Sequence, residues 1–150
     1  MGFFDELKNR ANQLHSAMTQ EMNRFKNREM MEAILAGCAL VASADGTVSS
    51  AEKQKMIGFI QNSEALKVFQ NHEIIQSFQQ HMAKMEFDYA LGQAEALQMI
   101  GKIKQADQAR LLVRVCCAIG NSDGEFDEQE KAVVRTICRE LQLNPADFDL

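Results

Sequence analysis

Apolar residues recur along this 150-residue chain at spacings of three, four and seven, the pattern of helix faces. The longest apolar run, Ala33 to Ala42 (AILAGCALVA), is ten residues, which suits a core helix buried on nearly all sides and is too short for a membrane span. A second run, Leu111 to Gly120 (LLVRVCCAIG), has the same character. Each leads at once into a Ser-containing Asp-Gly turn, and that parallel points to an internal duplication.

A shift of 78 residues lays SADGTVSSAEK (Ser43 to Lys53) on NSDGEFDEQEK (Asn121 to Lys131), pairing Asp45 with Asp123, Gly46 with Gly124 and Glu52 with Glu130. Cys38 falls on Cys116. Beyond the loops the same shift aligns Met56, Phe59 and Ile60 with Val134, Ile137 and Cys138, an i, i+3, i+4 face in both copies. Two helix–loop–helix units, near residues 28–62 and 106–141, form the predicted skeleton. Between them, Ile75, Phe78, Met82 and Met85 make one helical face, and Tyr89, Ala96, Ile100 and Ile103 make another behind an Asp88 cap. Asn144-Pro145 predicts an N-cap with Pro at the first position of one short final turn. Over residues 1–27, Phe3, Leu7, Leu14, Met18 and Phe25 place an apolar stripe on an amphipathic helix. Its mixed charge, four Lys/Arg against three Asp/Glu, favours packing on the domain over lying in a membrane surface.

The predicted fold is therefore all-α: one domain over residues 1–150, a bundle of about seven helices built from two pseudo-symmetric halves. Composition agrees. A single Pro, and a wealth of Ala, Leu, Met, Gln, Glu and Lys over Val, Thr and Tyr, favour helix over strand. A net charge of −5, with no basic stripe interleaved with aromatics, argues against nucleic-acid binding. The N-terminus lacks the basic-then-apolar layout of a signal peptide, and Glu6 stands where myristoylation favours Ser or Thr. We expect a cytosolic protein without a lipid anchor or membrane span. Cys38, Cys116, Cys117 and Cys138 each lie in an apolar helical pattern and form no CxxC pair, so reduced, buried thiols are expected.

Both Asp-Gly loops carry D-G-x-apolar-[S/D]-x-x-E, the second part of a calcium-binding EF-hand loop. The front part is absent, since Val41 and Ile119 stand where the first carboxylate would be. The same residues also read as capping boxes, Ser49 to Glu52 and Asp127 to Glu130, which require no metal. The second loop is the more acidic: Asp123, Glu125, Asp127, Glu128 and Glu130 set five carboxylates within eight positions, with no base between them. Such crowding calls for an offsetting cation, either a hard divalent ion or a basic partner surface.

Through the twin Asp-Gly loops, the acidic capping positions and the two-half helical layout, the chain resembles the TerB family of tellurium resistance proteins along its full length. The resemblance implies a cytosolic helical fold whose acidic residues hold divalent metal, with calcium the first candidate. Carried over residue by residue, the ligands would be Asp45, Glu52, Asp123, Asp127 and Glu130. Ser49 stands where the second copy has Asp127, which leaves the first site the weaker. The resemblance also implies a place among the proteins of a tellurite and stress resistance system. Contact with an integral membrane partner would hold the protein peripherally at the inner membrane.

Catalysis finds little support, because there is no Gly-rich phosphate loop and no nucleophile elbow. His15, His72 and His81 each sit beside polar residues in helical patterns and are expected to be solvated or partly packed rather than zinc ligands. Cys116 and Cys117 point about 100° apart on a helix, which makes them a poor dithiol. Two readings of function stand: a non-enzymatic, metal-binding adaptor in tellurite resistance, and a metal-free helical docking module of co-chaperone-like or regulatory kind. A thiol redox protein is a distant third.

Overall fold

The run Ala33 to Ala42 fills most of the first helix, α1 (Arg28–Ala42), and in the computed structural model every residue from Ala33 to Val41 is buried. A helix apolar on all sides must be covered on all sides. Here α3 (Asn71–Phe87), α4 (Tyr89–Gly101), α5 (Ala106–Gly120) and α6 (Glu128–Glu140) all pack on it. The remaining helix, α2 (Ser50–Gln61), rests on α3 and touches α5, and a 3-10 turn, Pro145–Phe148, closes the chain against α6. The structure describes residues 28–44, 48, 50–62, 66, 69–121 and 126–150. Among these there are six α-helices and no strand. The helix expected over 1–27 lies outside the described residues.

Close approach around α1 depends on a missing side chain. A Cβ on Gly37 would lie 2.7 Å from Cys116 Sγ and 3.6 Å from a Leu112 methyl, so α5 seats its thiol directly on the α1 backbone. The corner between α3 and α4 is a single residue, Asp88, in extended conformation. Its backbone N–H closes α3 on the Lys84 carbonyl, and its carboxylate accepts the Leu91 N–H at 3.2 Å to open α4. This is the cap expected from the sequence, and it satisfies two helix ends with one residue.

The helices that fall in the two expected units are α1 and α2, and α5 and α6. Their packing differs: α5 and α6 lie directly on each other, whereas the principal support of α2 is α3. In α6 the expected face is present, with Val134, Ile137 and Cys138 buried, and in α2 Ile60 is buried while Met56 and Phe59 are partly so. Two positions depart from expectation. Ile74, not Ile75, takes the core place on α3, because the buried stripe runs Ile74, Ser77, Phe78, His81, Met82, Met85. Tyr89 is exposed, as are Phe87 and Leu91 on either side of it around the Asp88 corner.

The C-terminus follows the expected scheme. Asn144 accepts the Ala146 N–H at 3.1 Å, with Pro145 at the first position of the turn. Before it, α6 ends in a Schellman arrangement: Leu143 N–H donates to the Cys138 carbonyl at 2.8 Å and Gln142 N–H to the Arg139 carbonyl at 3.1 Å. Gln142 accordingly adopts φ 59°, a left-handed conformation that suits glycine better.

Candidate functional site

The start of α6 brings two of the five predicted ligands together. Asp127 is the N-cap, and its Oδ1 accepts the Glu130 N–H at 2.8 Å. Glu130 Oε1 in turn accepts the Asp127 N–H at 3.3 Å, which completes a reciprocal capping box. Both carboxylates thus stand at a helix N-terminus, where exposed N–H groups and the macrodipole favour negative charge.

Phe126, the residue before this cap, packs on α5: a Cβ on Gly120 would meet its ring at 2.8 Å, so the ring lies flush on the end of that helix. Lys131 Nζ sits 6.0 Å from the centre of that ring and 3.9 Å from Glu128 Oε1, while Arg135 reaches Glu128 Oε2 at 3.5 Å. The acidic stretch therefore has bases beside it after all. They come from one and two turns further along α6, not from within the loop, and the linear reading did not place them there.

Asp45 and Asp123 lie outside the described residues, as does the side chain of Glu52, whose backbone belongs to the first turn of α2. Ser49 is outside them too. Among the described residues, no three acidic, His or Cys groups converge as a metal would require. Lys53, next to Glu52, pairs with Glu86 and ties α2 to α3.

A second polar cluster lies where no site was expected. Glu32 of α1 faces α3, and its Oε2 accepts Ser77 Oγ at 2.8 Å and His81 Nε2 at 3.2 Å. Its other oxygen stands 3.8 Å from the exposed Arg28 guanidinium. A carboxylate only accepts, so the neutral His81 ring carries its proton on Nε2. Ser77 and His81 are both buried, which corrects the solvated or partly packed place expected for His81. Burial pushes the imidazole below its ordinary 6.5, while the Glu32 carboxylate pulls the other way. A cleft of about 190 Å³ lined by Arg28, Glu32, His72, Glu73, Ser77 and two glutamines opens on one side of the cluster. Because serine and histidine both bond the carboxylate, the arrangement is a clasp between helices rather than a hydroxyl activated by a base. In the sequence Ser77 and His81 stand i, i+4 apart beside the apolar stripe of α3, but nothing local marks Glu32 as their partner.

The cysteines are free, with Cys38, Cys116 and Cys138 buried and Cys117 half-buried. Burial raises all four thiols, that of Cys138 to about 11, and holds them protonated.

A bundle wrapped round one apolar helix, with an acidic capping box at the entry of α6, defines the class: a small all-helical domain. The chain belongs to the TerB family: the family model "Tellurite resistance protein TerB" matches residues 31–150. It is also 40% identical over 116 residues to the tellurium resistance protein TerB of Alcaligenes sp., an alignment covering 77% of this chain and 95% of that protein. No solved structure matches.

Proposed function

We propose that this tellurite resistance protein acts as a non-enzymatic, cation-dependent adaptor. Its two Asp-Gly loops would take a divalent ion, calcium first, through Asp45 and Glu52 in one unit and Asp123, Asp127 and Glu130 in the other. The observation that supports this reading is the meeting of Asp127 and Glu130 at the N-terminus of α6. Each of these two carboxylates contributes an oxygen to the capping box, Asp127 Oδ1 and Glu130 Oε1. Hard divalent ions take such oxygen donors, and pseudo-symmetric halves would bring a weaker and a stronger site to one protein. Its partners would be other proteins of the resistance system, among them an integral membrane protein that holds it peripherally at the cytoplasmic face of the inner membrane. No helix among the described residues is long and apolar enough to cross a membrane itself.

The capping box also favours a second reading, a metal-free docking module, because it gives both carboxylates structural work without any ion. Calcium titration followed by backbone-amide NMR separates the two. The adaptor reading expects saturable shifts at residues 45–52 and 123–130, lost in Asp123→Asn and Glu130→Gln. Shifts absent from both loops at millimolar calcium, magnesium and manganese would leave the docking module standing.

A further inference from the structure

We propose that Glu32, Ser77 and His81 form a proton-sensitive joint between α1 and α3, closed at neutral pH and loosened by acid. The joint is the polar interruption in an otherwise apolar seam: Ile74, Phe78, Met82 and Met85 of α3 are buried on either side of it. It holds because one carboxylate serves two donors at once, Ser77 Oγ at 2.8 Å and His81 Nε2 at 3.2 Å.

Protonating His81 puts a proton on Nδ1 and a full charge into a place where the side chain is 6% exposed. The charges acting on the ring come from three helices. Glu32 of α1 favours the imidazolium, as does Glu95 of α4, while Lys84 on α3 opposes it and is itself paired with Glu95 at 3.2 Å. On the open side stand Arg28 of α1, 3.8 Å from Glu32, and His72 and Glu73 in the first turn of α3. Lys53 of α2, the charged residue that ties α2 to α3, is engaged by Glu86 rather than by the ring. Loss of water outweighs the favourable charges, so the buried ring resists the proton.

A group whose folded pKa lies below its free value is protonated more readily once the joint opens. Closure is therefore at full strength above 6.5, weakens as pH falls below 6.5, and levels off below the folded pKa. The cleft beside Glu32 and Ser77 brings solvent to the carboxylate and hydroxyl of the clasp that holds the ring. The next residue along α3, Met82, takes the Ser43 hydroxyl at 3.7 Å, and Ser43 lies at the end of α1 where the first Asp-Gly loop begins. Loosening α3 therefore reaches the base of that loop.

The test needs only the apo protein. Imidazole ¹⁵N shifts and amide hydrogen exchange, corrected for intrinsic rates, would be followed from about pH 7.5 to about pH 5, the range of histidine switches. We expect His81 to titrate below 6.5 and the α3 amides to lose protection relative to those of α5 over the same range. In His81→Gln, which keeps a donor for Glu32 but cannot take the proton, the relative protection of α3 should stay level. His81 titrating at or above 6.5, α3 protection unchanged in the wild type, or an equal loss in His81→Gln would each overturn the proposal. Because no divalent ion is present, these outcomes are independent of whether the acidic loops bind metal.

Discussion

Substituting Asp127 in two ways separates a helix cap from a metal ligand. Asp127 Oδ1 accepts the Glu130 N–H at 2.8 Å, and asparagine keeps an oxygen in that position while alanine does not. Without added ions, Asp127→Ala should cost ~1 kcal/mol, the usual worth of an N-cap. For a domain of this size that lowers the melting temperature by about 2–4 °C. Asp127→Asn gives up only the charge at the helix start, about 0.3–1 kcal/mol, partly offset by relief of repulsion from Glu128 and Glu130. Its apo melting temperature should stay within about 1–2 °C of wild type. Calcium enlarges the gap between wild type and Asp127→Asn. If a site saturates at one hundred times its dissociation constant, the wild type gains about 2.7 kcal/mol. Asp127→Asn should lose most of this gain, because the site works by charge density. Thermal melts by circular dichroism with and without millimolar calcium read all four cases. The reasoning fails if Asp127→Asn melts as low as Asp127→Ala without calcium, or if it retains the full calcium-dependent rise.

Gly37→Ala should destabilise the protein by about 1–2 kcal/mol, since overpacking against Cys116 exceeds the gain in helix propensity. A double-mutant cycle with Cys116→Ala should recover much of that loss, whereas additive effects would show that the thiol is not the obstacle. Gln142→Gly should raise stability by about 0.5–1 kcal/mol in denaturant melts, because a left-handed residue closes the Schellman turn. Thiol reagents should label the native protein slowly at neutral pH, as protonated, enclosed cysteines are poor nucleophiles; rapid reaction at any one would reopen a redox role.

Helix positions were legible wherever apolar spacing and caps agreed. Asp88, Asp127 and Asn144 cap as their sequence contexts foretold, and the two apolar runs became α1 and α5. Reading α3 by apolar residues alone, however, shifted its face by one position, because Ser77 and His81 belong to the buried stripe and are polar. Their burial depends on Glu32, forty-five residues earlier than Ser77, and no local pattern announces a partner at that distance. Lys131 and Arg135 are illegible as partners of the acidic stretch for a related reason: helix geometry returns them to Glu128, while a linear count of charges stops at Glu130.

The central position of α1 also sets an order of events during synthesis. This helix leaves the ribosome early, yet α5 and α6, which cover it, end at Gly120 and Glu140. At about 5–20 residues per second, the ten-residue apolar run waits roughly 5–20 s for the last of its cover. Through that interval the nascent chain carries a greasy segment that local folding cannot hide, and truncation anywhere before α6 would leave it uncovered for good. Nascent-chain holdases and proteases should therefore meet this protein first at Ala33–Ala42, before α6 has been made.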